Sequence, residues 1–74
     1  MNRNKIVDDL KTFKEYSIKE KYDGNYIKYE IIADKNLRNF IVINKTKNKW
    51  FSFDDIDKAV DKFIKIANKE DNNE

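Results

Sequence analysis

The sequence contains no cysteine and no histidine. Disulfides and thiolate zinc sites are therefore excluded, and so is the imidazole group that most often carries acid–base catalysis. Gly24 is the single glycine, so a glycine-rich phosphate loop is excluded as well. Ser17 and Ser52 have no histidine that could activate them as nucleophiles. We expect a protein that is not an enzyme and that uses no metal or cofactor.

Long apolar runs are also missing. No segment approaches the roughly 20 apolar residues that a helix needs to cross a bilayer. The first ten residues, MNRNKIVDDL, lack the apolar region of a signal peptide. We expect no membrane association and a cytoplasmic location, which means the cytoplasm of the host cell if the protein is encoded by a phage.

Charged residues are abundant but nearly balanced. They make up 41% of the chain, yet the formal net charge is only +2, and a composition this rich in charge also occurs in disordered chains. Five phenylalanines, four tyrosines, one tryptophan and the absence of proline favour a folded core instead. A chain of 74 residues corresponds to one domain. We predict one α+β domain over residues 1–70 and a frayed tail over residues 71–74.

Hydrophobic periodicity predicts a helix followed by four strands. The helix covers residues 4–14, where apolar residues recur at helical spacing; these are Ile6, Val7, Leu10 and Phe13. Alternation of period two and short apolar runs predict the strands, which cover residues 16–22, 26–33, 40–44 and 50–53. The segment Asp23-Gly24-Asn25 predicts a tight turn between the first two strands.

A second helix is predicted after the last strand. Its apolar residues follow the pattern i, i+3, i+4, i+7, i+8, i+11, and they are Ile56, Ala59, Val60, Phe63, Ile64 and Ala67. Ser52 and Asp55 have the S-x-x-D spacing of a capping box at its start. Aspartates in the first turn and lysines in later turns complement the helix dipole.

These elements predict a two-layer α+β fold with the order αββββα. An antiparallel sheet of three to four strands would carry the N- and C-terminal helices on one face. In the second strand we expect Tyr29 and Ile31, with Ile27, to face the helices. The alternate residues, Tyr26, Lys28, Glu30 and Ile32, would then face away from them.

Residues 35–53 form the one stretch with a sustained charge sign, because they contain five basic residues and no acid. Such a segment is typical of a surface that contacts phosphates and stacks bases on aromatic rings. From this segment and the outward residues of the second strand we predict a set of candidate binding residues: Tyr26, Lys28, Arg38, Lys45, Lys47, Lys49 and Trp50. Of these, Tyr26, Arg38 and Trp50 are the expected anchors of an interface.

Each of these patterns has a simpler structural interpretation. Lysine and asparagine are common in hairpin turns because they stay hydrated and tolerate turn geometry, and lysine near an edge strand discourages aggregation. Phe51 and Phe53 alternate with Trp50, so two of the three aromatic residues are expected in the core. The acidic cluster of Asp54, Asp55, Asp57 and Asp61 resembles a metal site or a phosphate mimic, but helix capping accounts for its first members without a ligand.

The layout resembles a known family. The chain opens with MNRNKIVDDLK, continues with paired strands in YSIKEKYDGNYIKYEIIA and a third strand in NFIVINK, and closes with a helix in AVDKFIKIANK. A very small protein of this order, without cysteine or histidine, is similar to the phage-encoded anti-CRISPR proteins of Gram-positive bacteria. The resemblance implies an inhibitor that binds a CRISPR effector nuclease or its guide complex. Some such inhibitors mimic DNA with acidic side chains, a pattern from which this slightly basic chain departs.

Two functions follow as hypotheses. The first is a non-catalytic binding protein, such as a phage or mobile-element inhibitor, that occupies a macromolecular surface of a host defence nuclease complex and has a protein or ribonucleoprotein partner. The alternative is a small nucleic-acid-binding module that uses exposed aromatic residues and lysines, namely Lys19, Lys21, Lys28, Lys45, Lys47 and Lys49. The partner's identity and the oligomeric state do not follow from the sequence.

Overall fold

The computed structural model describes residues 1–22 and 24–71, with side chains up to residue 69. Its elements follow the predicted order αββββα. They are α1 (Arg3–Phe13), β1 (Glu15–Lys19), β2 (Ile27–Ala33), β3 (Phe40–Asn44), β4 (Lys49–Phe53) and α2 (Ile56–Asp71). The strands form one antiparallel sheet in the order β1-β2-β3-β4, which confirms the predicted fold class.

Helix α1 begins and ends at defined caps. The side chain of Asn2 accepts a hydrogen bond from the backbone N–H of Lys5 at 3.2 Å, and Lys14 ends the helix in the left-handed conformation with φ of 64°. Ile6 and Leu10 are fully buried, as predicted. Phe13 departs from the predicted apolar stripe because its side chain is 66% exposed. The chain leaves the helix directly after Phe13, so this ring projects from the last turn into solvent.

Strand β1 is shorter than predicted and ends at Lys19 rather than near residue 22. The pairing with β2 shifts register between Ile18 and Lys19, which interrupts the ladder at this point. The chain turns at Gly24 and Asn25, within the segment where the sequence predicts a tight turn, and Asp23 lies outside the described residues. The connection closes with a hydrogen bond from Glu20 N–H to the Tyr26 carbonyl at 2.7 Å.

The turn between β3 and β4 is built by asparagines. The Asn44 side-chain oxygen accepts hydrogen bonds from the Thr46 hydroxyl at 2.7 Å and the Lys47 N–H at 3.3 Å. Asn48 has a φ of 54°, a conformation that asparagine tolerates better than most residues. This turn lies where the sequence predicts one, and it brings Lys47 and Lys49 to the end of the sheet.

Helix α2 buries the predicted apolar stripe. Ala59, Val60, Phe63 and Ala67 are all fully buried. The capping box predicted from Ser52 is wrong, because Ser52 belongs to β4 and Asp55 itself caps the helix by accepting a hydrogen bond from Lys58 N–H at 3.0 Å. The tail predicted over residues 71–74 lies outside the described residues except for Asp71, the last residue of α2.

Both helices pack on one face of the sheet. The inner side chains alternate along each strand and form the core with α1 and α2; they are Tyr16, Ile18, Tyr29, Ile31, Ala33, Phe40, Val42, Phe51 and Phe53. Tyr29 and Ile31 face the helices as predicted. The ring of Phe63 meets that of Tyr16 edge to face, with centroids 5.7 Å apart at 83°. The opposite face of the sheet carries neither helix.

Candidate functional site

The structure divides the predicted binding residues between two surfaces. We call the first the outer sheet face, which comprises Ser17, Glu30, Ile32, Ile41, Ile43, Trp50 and Ser52 on the side opposite the helices. We call the second the lysine groove, which comprises Asn44, Lys47, Lys49, Phe51, Lys62, Lys65, Ile66 and Lys69 between β4 and α2.

The outer sheet face has an apolar centre. The strand register places Ile43 directly opposite Trp50, and Ile41 directly opposite Ile32. Paired side chains on one face of an antiparallel sheet lie about 4.5–5.5 Å apart at their Cβ atoms. The three isoleucines are partly exposed, and Trp50 is 70% exposed. They therefore form a contiguous apolar surface across β2, β3 and β4.

Polar residues surround this centre. Lys45 Nζ lies 3.8 Å from the Glu30 carboxylate, in an exposed ion pair beside Ile43. Ser17 lies opposite Glu30 on β1, and Ser52 lies opposite Ile41 on β4. An apolar centre with a polar rim is the usual anatomy of a protein–protein contact surface.

The sheet itself explains why Trp50 is exposed. Successive residues of a strand point to opposite faces, so the burial of Phe51 and Phe53 against the helices requires Trp50 to point away from them. The core is thus closed without the indole ring. Burying this ring elsewhere would expose both phenylalanines, so the exposure of Trp50 is fixed by the register of β4.

The lysine groove lies on the helix side of the same edge strand. Five lysines line it: Lys47 and Lys49 from the β3–β4 hairpin, and Lys62, Lys65 and Lys69 from α2. The groove has a volume of about 230 Å³, and Phe51 and Ile66 form its apolar part. Lys62 Nζ lies 4.3 Å from the centroid of the Phe51 ring, a cation–π contact that holds this lysine over the edge of the core.

Asp57 and Asp61 of α2 face α1 and not the lysine groove. Arg3 of α1 pairs with Asp57 at 2.9 Å and with Asp61 at 3.2 Å. The hydrogen bond that Arg3 donates to Asp57, and then the one it donates to Asp61, raise the pKa of Arg3 above its usual value. Among the described side chains, up to residue 69, no carboxylate lines the lysine groove. Helix α2 therefore presents aspartates toward α1 and lysines toward β4.

The predicted site residues do not form one cluster. Lys45 and Trp50 belong to the outer sheet face or its rim, whereas Lys47 and Lys49 belong to the lysine groove. Lys28 lies where the pairing of β1 with β2 shifts register, and its Nζ is 5.4 Å from the centroid of the Tyr29 ring.

Arg38 lies in the β2–β3 connection, at the end of the sheet away from the β3–β4 turn, where its N–H donates to Asp34 at 2.8 Å. Tyr26 is 46% exposed and directly precedes β2. The register thus separates Arg38 from the other expected anchors.

Several residues of both surfaces were not predicted as site residues. Ile41 and Ile43 come from the segment FIVIN, which is apolar on both faces, so the sequence predicts a strand without showing which of its residues face away from the helices. Lys62, Lys65 and Lys69 have the i, i+3, i+7 spacing of one helix face, but in the sequence the helix dipole already explains lysines in the later turns of α2. That spacing was the available signal, but only the packing of α2 beside β4 shows what it faces.

The acidic cluster has structural roles in the described part of the chain. Asp55 caps α2, and Asp57 and Asp61 bind Arg3. Within residues 1–22 and 24–71, no group of three or more acidic side chains is placed to hold a metal ion. Neither helix in this described part has the length and apolar character needed to span a membrane.

Comparison with known proteins finds no match: no family model, no curated protein and no solved structure resembles this chain. The function must therefore be argued from the two surfaces themselves.

Proposed function

We propose that this chain is a non-catalytic binding protein that docks through its outer sheet face onto a protein partner. The observation that carries the proposal is Trp50, whose indole is 70% exposed beside Ile43 on a sheet face that neither helix covers. Tryptophan is strongly enriched among the residues that dominate binding energy at protein interfaces. The exposure of Trp50 contributes nothing to the packing of the core.

The chemistry of the outer sheet face favours a protein over a nucleic acid. Three of the four apolar side chains at its centre are isoleucines, which offer no flat surface for a base, and Trp50 supplies a single ring where surfaces for single strands stack successive bases on several. Lys45 at its rim lies 3.8 Å from the Glu30 carboxylate, which offsets part of the positive charge available to phosphates. An apolar protein surface with its own polar rim complements this arrangement.

The size of the molecule sets the extent of the contact. A standard interface buries about 800 Å² on each partner, which is roughly 15% of the 5247 Å² accessible surface of this chain. The four apolar side chains supply only part of that area. The contact therefore extends over the rim of Glu30 and Lys45.

The finer form of the hypothesis is an inhibitor of a host defence nuclease complex, as the resemblance to anti-CRISPR proteins implies. Its support is the order, size and composition of the chain. It is tested by adding the purified protein to a CRISPR effector nuclease with its guide RNA and measuring cleavage of a target plasmid. Loss of cleavage with the wild-type protein, retained with the Trp50→Ala variant, would support this form; unaffected cleavage across effector classes would reject it.

The docking surface is tested by affinity capture with a matched pair of variants. Trp50→Ala removes the exposed aromatic ring of the outer sheet face, and Phe13→Ala removes one of similar exposure from α1. Truncating an anchor of an interface costs at least about 2 kcal/mol, or roughly a thirtyfold loss of affinity. We expect Trp50→Ala to lose the captured protein and Phe13→Ala to retain it.

Two outcomes would reject the proposal. Equal binding by both variants would show that the outer sheet face does not carry the contact. If light scattering shows a dimer that Trp50→Ala dissociates, a second copy of the chain covers this face, and the surface serves self-association rather than a separate partner.

A further inference from the structure

The lysine groove is a second surface with its own chemistry, and it is independent of the outer sheet face. Trp50 points away from it, because the groove is lined by Lys49 and Phe51, the β4 residues on either side of Trp50. Its five lysines come from segments that lie far apart in the sequence, namely residues 47–49 and 62–69. The fold alone brings them together.

We propose that the lysine groove binds the phosphodiester backbone of a nucleic acid. A lysine is a compact point charge suited to a phosphate oxygen, and backbone contacts of this kind need regularly placed cations rather than base-reading side chains. The groove supplies such cations along two opposite walls, with β4 on one side and α2 on the other. Its narrow apolar part is formed by Phe51 and Ile66.

The spacing of the lysines suits a phosphate backbone. Lys62, Lys65 and Lys69 follow one face of α2 over about 10 Å, at a rise of 1.5 Å per residue. Phosphates of one duplex strand recur about every 3.4 Å along the axis, so this length covers roughly three of them. Lys47 and Lys49 face the same space from the hairpin.

The charge of the groove is not neutralised from within. Of the side chains that the structure describes, no carboxylate lines the groove and none forms an ion pair with Lys49, Lys65 or Lys69. The aspartates Asp57 and Asp61 of the same helix are bound to Arg3 on the α1 side. A net charge of only +2 thus conceals a local concentration of positive charge.

This assignment differs from the nucleic-acid module considered from the sequence. Of the lysines proposed there, Lys47 and Lys49 line the groove. Lys45 instead pairs with Glu30, and Lys19 lies on β1 at the far edge of the sheet. The binding cations come from α2 as much as from the hairpin.

An acidic protein surface is the competing ligand. Protein contacts of high affinity depend on buried aromatic or arginine anchors, and the groove offers only lysines above partly buried Phe51 and Ile66. A regular polyanion matches such a set of point charges better than a folded acidic surface does.

The test compares two charge-matched triple variants. The groove variant is Lys49→Gln, Lys65→Gln and Lys69→Gln, and the control variant is Lys11→Gln, Lys19→Gln and Lys35→Gln. All six side chains are exposed, and both variants lower the formal net charge from +2 by three, to −1. Melting temperatures and circular dichroism of both variants should equal those of the wild-type protein, because none of these residues is in the core.

Binding is measured by fluorescence anisotropy with labelled single-stranded and duplex oligonucleotides of DNA and RNA, between about 50 and 200 mM salt. If all five lysines contact duplex phosphates, log K should fall with log salt with a slope of about −4.5, and the groove variant should reduce that slope by about 2.7. The control variant should leave the slope unchanged. The single-stranded and duplex probes show which form of backbone the groove prefers.

Three results would overturn the proposal: no salt-dependent binding by the wild-type protein at low salt, equal loss in the two variants, or tighter binding of poly-glutamate than of any oligonucleotide. The Trp50→Ala variant should bind oligonucleotides like the wild-type protein. Failure of this inference therefore leaves the proposed protein-binding role untouched, and the reverse also holds.

Discussion

Two neighbouring isoleucines of β2 provide a direct test of which sheet face is covered. Ile31 is fully buried against the helices, whereas Ile32 lies on the outer sheet face and is partly exposed. The change Ile→Ala removes the same atoms from the same strand at both positions. A difference in the loss of stability between the two positions therefore shows which face of the sheet is covered.

The expected magnitudes differ because only one position leaves a cavity. Ile31→Ala should lower the free energy of unfolding by about 2–5 kcal/mol, the usual cost of removing a buried aliphatic side chain together with the void it leaves. Ile32→Ala should cost less than about 1.5 kcal/mol, because water fills the gap and only the transfer of partly buried carbon atoms is lost. The first change corresponds to a drop in melting temperature of at least about 8 °C in a domain of this size.

The measurement is urea unfolding followed by far-ultraviolet circular dichroism. The whole domain should be stable by about 4–11 kcal/mol. Because the upper range for Ile31→Ala exceeds the lower end of this stability, the milder pair Ile31→Val and Ile32→Val keeps the comparison measurable. Ile31→Val should cost about 0.5–1.5 kcal/mol, and Ile32→Val less. Equal losses at the two positions would refute the reasoning, because they would mean that the outer sheet face is packed as closely as the inner one.

Two further predictions concern the core and the β2–β3 connection. Phe63→Ala should lower the free energy of unfolding by about 3–5 kcal/mol, because Phe63 is fully buried against Tyr16. Phe13→Ala should change it by no more than about 0.5 kcal/mol, because Phe13 is exposed. Equal melting temperatures of the two variants would contradict this difference in burial. Hydrogen bonds from the Arg38 N–H, and then from Asn39, lower the pKa of Asp34. This stabilisation is present above the unfolded-state pKa and is lost as pH falls through the folded-state pKa, so Asp34→Ala should lower the melting temperature at neutral pH and match the wild-type protein in strong acid. A difference that is independent of pH would contradict the role of the charge.

The fold was predictable because local patterns and tertiary packing agree. The period of α2 specifies its buried stripe, and the apolar segment FIVIN occupies the strand predicted for it, Phe40–Asn44. The errors lie at element ends. Nothing in the alternation after Tyr16 shows that pairing would shift after Ile18, and the S-x-x-D spacing from Ser52 to Asp55 is met although Ser52 lies within a strand.

The candidate surfaces were predictable only in part. The outward direction of Glu30 and Ile32 follows from alternation once Tyr29 is placed inside. The lysine groove does not follow from any local pattern, because it depends on α2 packing beside β4 rather than elsewhere on the sheet. The sequence shows only the order of charges along the chain, whereas the structure shows that α2 presents aspartates toward α1 and lysines toward β4.

The central claim is that the outer sheet face is where this molecule meets a protein partner. A photoreactive benzophenone side chain placed at Ser52, beside Ile41 on that face, tests it directly, with the same group at Lys11 of α1 as the control. We predict that Ser52 crosslinks to one specific protein, that excess wild-type protein competes this product away, and that excess Trp50→Ala does not. Equal crosslinking from Lys11, or competition by Trp50→Ala as effective as that by the wild-type protein, would contradict the claim.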